Sequence, residues 1–174
     1  MKRNKIKKFD LIVIGGGSGG VRTARIAAIH GANVAICEKD KMGGTCVIRG
    51  CIPKKLLFYS SQFQNIFSYS DSYGWSTREI KYDFLKMIKN KNKEITRLEK
   101  IYEKNIITTG ASIFKGEASF INKNKIKINN DIISGDKIII ASGGTPISLK
   151  VLGSHFADDS DTIMQLSKLP KTLT

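Results

Sequence analysis

The order of apolar and polar positions in the first part of the chain predicts a strand, a helix and a second strand. Residues Phe9–Ile14 form a mostly apolar run of the kind that is buried in a parallel sheet. Small and apolar residues then recur at helical spacing over residues 18–30, and Gly31 is a typical helix terminator. Residues 33–37 predict the second strand. A strand, a helix and a strand in this order favour an α/β fold with a parallel sheet.

Two longer helices are predicted in the middle of the chain. One covers residues 56–69 and is followed by a polar loop at residues 71–79. The other runs from Tyr82 to about Lys104, where apolar residues recur at helical spacing and charged residues lie between them. This pattern is typical of an amphipathic helix that packs one face against a core.

The second half of the chain contains runs of β-forming residues. Residues 113–120, 125–128 and 131–134 are separated by Asn and Gly turns and predict a short antiparallel meander beside the parallel sheet. Residues 137–141 predict a further buried strand.

Composition narrows the class of protein. The 174 residues are 41% hydrophobic and 25% charged, which indicates one globular domain, here residues 9–174, after a basic N-terminal extension of residues 1–8. The net charge of +14 raises nucleic acid as a partner, but the chain has neither zinc-finger spacing nor Arg/aromatic interleaving. The charge therefore favours solubility and anionic small ligands.

Localisation follows from the apolar segments and the cysteines. The apolar run after the basic extension is too short for a signal peptide, and no segment approaches a membrane span. Three cysteines in a chain this long are not a secreted disulfide scaffold. We therefore expect a cytoplasmic protein without a membrane, nucleic-acid or metal partner.

A glycine motif follows the first predicted strand. Gly15, Gly17 and Gly20 satisfy the pattern G-x-G-x-x-G, and Glu38 follows Gly15 by 23 residues, at the end of the second predicted strand. In a dinucleotide site the three glycines allow a tight turn, close approach of a pyrophosphate and close packing of helix on strand, while the acid binds the ribose hydroxyls. The motif alone is weak evidence for a dinucleotide site. Its place between a predicted strand and a predicted helix favours such a site over a glycine-rich surface turn.

A pair of cysteines forms the second candidate site. Cys46 and Cys51 are flanked by glycines and followed by Pro53, Lys54 and Lys55. A disulfide needs Cα atoms within about 7 Å, whereas five extended residues span about 17 Å, so the segment must coil to form one. A Pro in the first turn of a helix and nearby lysines would suit a reactive thiolate. Two ordinary buried cysteines are the alternative, and the spacing alone does not decide between them.

Taken together, the glycine motif and the cysteine pair resemble one family. The chain resembles the FAD-dependent pyridine-nucleotide disulfide oxidoreductases, and its segment Cys46–Lys55 most resembles the glutathione reductase form. Trypanothione and thioredoxin reductases share the Pro-Lys-Lys element, so the substrate stays open. The resemblance implies a Rossmann-like FAD/NAD(P)-binding fold, incomplete in this chain, with parallel sheet, helices and a small antiparallel β meander.

The resemblance also implies roles for single residues. A redox-active disulfide would join Cys46 and Cys51, with Cys51 against the flavin, Cys46 attacking glutathione disulfide and Lys54 near the flavin N5. Ser18, Arg25 and Tyr102 match positions that contact glutathione, while Cys37 is expected to be packed rather than reactive. The residues expected to contact FAD are Gly15, Gly17, Ser18, Gly19, Gly20, Glu38, Gly44, Thr45, Cys46, Lys54, Ala118, Ser142 and Gly143.

The resemblance further implies that this chain is the N-terminal portion of a longer enzyme. The domains that bind NADPH and form the homodimer interface in the family are absent after Thr174, so the chain alone is expected to be inactive. Three hypotheses follow: a portion of a glutathione-disulfide reductase or a sister reductase, a non-catalytic FAD-binding redox sensor, and a basic nucleic-acid-binding domain.

Overall fold

The computed structural model describes residues 6–76 and 79–174, so most of the predicted basic extension lies outside the described residues. The chain divides into two compact units. The first comprises Met1–Ile48 and Arg97–Thr145, and the second comprises Arg49–Thr96 and Pro146–Thr174. A single FAD-binding domain over residues 9–174 stays a prediction.

The first unit is built on a parallel sheet. Its central strand β1 (Lys7–Ile14) pairs in parallel with β2 (Val34–Glu38) on one side, and β2 pairs in parallel with β3 (Ser112–Lys115). The sheet continues through β4 (Ala118–Asn122), β5 (Lys125–Ile128) and β6 (Asp131–Ile140), in the order β3-β2-β1-β6-β5-β4. The predicted α/β fold with a parallel sheet and an antiparallel meander is thus confirmed.

Strand β6 joins the two parts of this sheet. It runs parallel to β1, with Lys7 opposite Ile133 and Ile14 opposite Ile140, while its first residues pair antiparallel with β5. The sequence predicted two strands here, over 131–134 and 137–141. They form one strand because Gly135 stays extended in the ladder opposite Phe9. The same pairing starts β1 at Lys7 instead of Phe9.

The sequence predicted one continuous strand over residues 113–120, and this prediction is wrong because two strands, β3 and β4, occupy the segment. The chain breaks at Gly116, which has a φ of 145°, so that β3 stays with the parallel strands and β4 enters the meander. Strands β3 and β4 lie at opposite edges in the strand order, yet only two residues connect them. The meander must therefore fold back over one face of the sheet. Ile126 and Ile128 of the meander accordingly pack in one core cluster with Ala35 and Cys37 of β2.

Helices cover the other face of the sheet. Helix α1 (Ser18–Ile29) packs Val21 and Ala24 with Val13, Val34 and other strand residues in a second core cluster. A short helix α2 (Gly44–Ile48) follows β2. The prediction that the end of β6 is buried is wrong: Ile139 and Ile140 are 39% and 66% exposed, because the helices lie over β1 and β2.

The second unit is helical. It contains α3 (Cys51–Tyr69), the first part of α4 (Phe84–Ile107), and the single turn α5 (Ser160–Ile163), which Asp159 caps. The latter part of α4 belongs to the first unit. Both long helices were predicted, and α3 begins at Cys51 with Pro53 in its first turn, as the sequence indicated. Pro is well accommodated there because the first amides of a helix have no acceptor to lose.

Candidate functional site

The glycine motif lies where the parallel strands end at one edge of the sheet. Gly15 follows β1, has a φ of 110° and donates its N–H to the Cys37 carbonyl at 2.8 Å. A Cβ at Gly15 would lie 2.2 Å from the Ala141 carbonyl oxygen, just after β6. The position therefore requires Gly both for its backbone angle and for the closeness of the neighbouring chain.

Gly20 brings helix α1 into contact with the loop before it. A Cβ at this position would lie 1.8 Å from the Gly15 carbonyl oxygen and 3.3 Å from a methyl group of Val13. The helix thus begins directly above the end of β1. This is the close packing that the sequence motif predicts.

The start of α1 is open to an anion. Gly17 occupies the N-cap position in extended conformation, and the first turn carries neither a capping side chain nor an acidic residue. Ser18 and Gly19 are exposed, and a Cβ at Gly19 would meet nothing within 4 Å. Unpaired N–H groups and the helix dipole favour a negatively charged group at such an end.

Helix α2 contacts the glycine loop through backbone atoms. The Gly43 N–H donates to the Gly16 carbonyl at 2.8 Å, and a Cβ at Gly44 would lie 2.5 Å from the Cα of Gly17. Within α2, Thr45 is exposed and Cys46 is half-buried. The contact places α2, the helix that carries Cys46, beside the glycine loop that precedes α1.

Glu38 ends β2 with its carboxylate held by two backbone amides. Oε2 accepts the Gly16 N–H at 2.5 Å, and Oε1 accepts the Asp40 N–H at 2.7 Å. A carboxylate oxygen has two lone pairs, so each oxygen still has room for a hydroxyl donor. The side chain is therefore fixed in place and remains able to bind a ribose.

The predicted FAD contacts Ala118, Ser142 and Gly143 lie in the same unit, whereas Lys54 lies in the second unit. Gly116 donates its N–H to the Glu38 carbonyl at 2.8 Å, which ties the turn before Ala118 to the end of β2. Ala118, the first residue of β4, is half-buried and packs against the core cluster that contains Ile126 and Ile128. Ser142 and Gly143 are exposed, and Gly143 has a φ of 75° with open space where a Cβ would be.

The three cysteines are thiols in three different environments. Cys37 is 2% exposed, and burial raises its pKa to about 12. A thiol of this kind is unreactive because the thiolate is the nucleophile. Cys46 is half-buried in α2 of the first unit, and Cys51 is exposed at the first residue of α3 in the second unit.

Lys54 lies in the first turn of α3 with Cys51. The two residues line a cavity of about 490 Å³ together with Lys55, Phe58 and Tyr59. The Lys55 ammonium is 5.7 Å from the centre of the Tyr59 ring, a cation–π contact. The surroundings of Cys51 are therefore cationic and aromatic.

The three predicted substrate residues share one cavity of the first unit. Ser18, Arg25 and Tyr102 line a cavity of about 340 Å³ between α1 and the end of α4. Sequence reasoning missed two polar residues that line the same cavity, Arg22 and Asn105. Helical spacing contained the signal, since Arg22 follows Ser18 by four positions and precedes Arg25 by three.

Among the described residues, none of the helices combines the length and apolarity needed to cross a membrane.

The glycine loop, the fixed acid and the parallel strand ends define the chain as a Rossmann-type dinucleotide-binding protein. The sequence pattern of the pyridine nucleotide-disulphide oxidoreductases matches residues 9–174, and the chain belongs to this family. The family predicted from the sequence is thus confirmed.

Individual relatives agree with this assignment. Glutathione reductase from Burkholderia cepacia is 44% identical over 158 residues, which cover 91% of this chain and 35% of that protein. The chloroplastic/mitochondrial glutathione reductase of Pisum sativum is 37% identical over 176 residues, which cover 95% of this chain and 32% of that protein. The chain spans about a third of the length of these relatives.

A solved structure has the same fold. The Cu(II) complex of RclA, an HOCl-induced flavoprotein disulfide reductase from Escherichia coli, superposes with a TM-score of 0.78 at 26% identity. The match covers 95% of this chain and 36% of that one.

Proposed function

We propose that this chain is the FAD-binding portion of a disulfide reductase, most closely of the glutathione-disulfide reductase type. The observation that carries the proposal is the backbone contact between Gly44 and Gly17, because it sets the helix bearing Cys46 against the dinucleotide loop. A redox thiol beside a dinucleotide site is the arrangement that flavin-linked disulfide chemistry needs.

The residues of the first unit fit FAD. The open start of α1 would take the pyrophosphate, and Glu38 would accept hydrogen bonds from the adenosine ribose. Further contacts would come from Gly44, Thr45, Ala118, Ser142 and Gly143. All five residues are exposed or half-buried. When bound, the flavin supplies two-electron transfer between a pyridine nucleotide and a disulfide.

The cysteines would perform the exchange with substrate. The Cys46 thiolate attacks one sulfur of glutathione disulfide, forming a mixed disulfide and releasing one glutathione thiolate. The Cys51 thiolate then attacks the Cys46 sulfur, releasing the second glutathione and leaving the Cys46–Cys51 disulfide. Lys54 follows Cys51 by one helical turn of α3, and its ammonium would supply a positive charge beside the flavin.

The proposed electron donor is NADPH, and the proposed assembly is a homodimer. Both rest on the likeness to glutathione reductases about three times as long as this chain, so they concern the longer protein. The proposed location is the cytoplasm, a reducing compartment in which a working disulfide is usually catalytic or sensory.

Disulfide exchange by the reduced chain tests the proposal without NADPH. Glutathione disulfide is added anaerobically to the flavin-reconstituted chain, and mass spectrometry locates the modification. We expect an internal Cys46–Cys51 disulfide with two glutathiones released per chain, and a trapped glutathionyl group on Cys46 in the Cys51→Ser variant. Stable glutathionylation of Cys51 alone, with Cys46 unmodified, would contradict the assigned roles.

The second candidate is a redox sensor that binds FAD but needs no pyridine nucleotide. The exposure of Cys51 favours it, since an accessible thiol also reacts directly with oxidants. The two functions differ in their reductant: NADPH reduces the flavin of the longer protein in a reductase and leaves it oxidised in a sensor.

A further inference from the structure

The two residues that connect α2 to α3 lie directly before Cys51. Helix α2 ends at Ile48 and α3 begins at Cys51, so Arg49 and Gly50 are the whole connection between the two cysteine-bearing helices. Gly50 occupies the N-cap position of α3 and has no side chain with which to cap the helix. Any side-chain contact that fixes this connection must therefore come from Arg49.

Arg49 is held by an aspartate from a distant part of the sequence. Its Nη1 donates to Oδ2 of Asp161, 112 positions later, at 3.4 Å. The two side chains are 29% and 26% exposed, so solvent screens this ion pair less than a pair at the open surface. Arg49, Asp161 and Cys51 all belong to the second unit. The ion pair therefore anchors, within one compact unit, the segment that leads into Cys51.

The single turn α5, which carries Asp161, is itself fixed at both ends. Asp159 Oδ1 accepts the N–H groups of Asp161 and Thr162 at 3.0 Å and 2.9 Å. After the turn, the buried ammonium of Lys91 on α4 donates to the Met164 carbonyl at 2.5 Å. The carboxylate of Asp161 therefore has a defined place in the second unit, which is what an anchor for another segment requires.

We propose that Arg49 and Asp161 are positioning residues for the second step of disulfide exchange. The inference rests on the proposed function, in which the Cys51 thiolate attacks the Cys46 sulfur of the mixed disulfide. In that step the Cys46–Cys51 bond forms, the bond from Cys46 to glutathione breaks, and a glutathione thiolate leaves. Its rate depends steeply on the placement of the attacking sulfur. The anchor restricts the positions open to the start of α3 and thereby places Cys51.

The first step of the exchange should not depend on this anchor. Cys46 lies in α2, before the anchored connection, and it attacks a disulfide that arrives from solution. Loss of the anchor should therefore slow the second step by about threefold to tenfold and leave the first step unchanged. Asp161→Asn is the appropriate variant, because the side-chain size and the backbone hydrogen bonds of this residue to Asp159 and Gln165 are retained.

The test follows both steps in the reduced, flavin-reconstituted chain. Glutathione disulfide is added anaerobically, samples are quenched with acid at successive times, and mass spectrometry measures the mixed and the internal disulfide. Asp161→Asn and Arg49→Gln should each raise the transient level of the mixed disulfide, and the double variant should be no slower than either single one. Arg49→Lys should recover part of the rate. Asp158→Asn, the same charge change at an exposed position of the same segment, should react like the wild type.

Three results would overturn this inference and leave the proposed function standing. They are a wild-type second step in Asp161→Asn, additive losses in the double variant, and a slower first step in Arg49→Gln. The last result would assign Arg49 to substrate binding instead of positioning. Failure to trap glutathione on Cys46 in Cys51→Ser would overturn the proposed function and this inference with it.

Discussion

Gly44 packs its backbone directly on Gly17, so that a Cβ at Gly44 would lie 2.5 Å from the Cα of Gly17. Gly44 also has a φ of 58°, in the left-handed region. Two segments of the candidate site, the loop before α1 and the start of α2, are therefore held together where neither has a side chain.

Replacing Gly44 by Ala should separate these segments. Strain at the left-handed position and overpacking against Gly17 together should lower the free energy of unfolding by about 2–4 kcal/mol. Urea unfolding measures the loss. In Gly19→Ala the new Cβ meets open space, so this variant should be at least as stable as the wild type, and a loss as large as that of Gly44→Ala would contradict the account.

Replacing Glu38 by Gln should affect both stability and FAD binding. Each carboxylate oxygen accepts one backbone N–H, and an amide has only one oxygen, so one N–H loses its acceptor. We expect a loss of about 1–3 kcal/mol in unfolding free energy, with weaker FAD binding by fluorescence titration. Glu117→Gln breaks only the exposed pair with Lys39 and should cost less than about 1 kcal/mol.

The reactivity of the cysteines should follow their burial. With a pKa raised to about 12, Cys37 is about one part in 10,000 thiolate at pH 8 in the folded chain, and its sulfur is also covered. Iodoacetamide should therefore modify Cys51 in the native protein and reach Cys37 only after unfolding in urea. Peptide mapping distinguishes the sites. Native modification of Cys37 at the rate of Cys51 would show that this part of the core opens readily.

Lys91 should make stability depend on pH. Its side chain is 2% exposed, its ammonium donates to the Met164 carbonyl at 2.5 Å, and burial lowers its pKa. The unfolded chain then binds more protons than the folded one between the lowered pKa and the usual 10.5, so stability should rise with pH through that window. Urea unfolding between pH 7 and 10 measures the slope.

Lys91→Met removes the titrating group and should flatten this slope. Lys89→Met, at an exposed position of the same helix, should keep it. Equal slopes in the wild type and in Lys91→Met would refute the assignment to Lys91.

The elements that the sequence predicted well are those with local signals. The repeat of small residues in α1 and the apolar run of β1 can be recognised within a few consecutive residues. Glu38 was identified from its separation from Gly15 along the sequence. The fold-back of the meander was not predictable, because it depends on Gly116 and on packing of Ile126 against β2, far away in sequence. Arg22 was missed because, on one helix alone, it is an ordinary solvent-exposed arginine until α4 closes the cavity.

The central proposal is that this chain binds FAD and that its redox cysteines react with the bound flavin. The most direct measurement is the visible absorption spectrum of the FAD-reconstituted chain during anaerobic titration with dithionite. We predict a flavin spectrum that develops a long-wavelength thiolate-to-flavin charge-transfer band, which Cys46→Ser retains and Cys51→Ser abolishes. Failure to bind FAD, or a band that persists in Cys51→Ser, would contradict the claim.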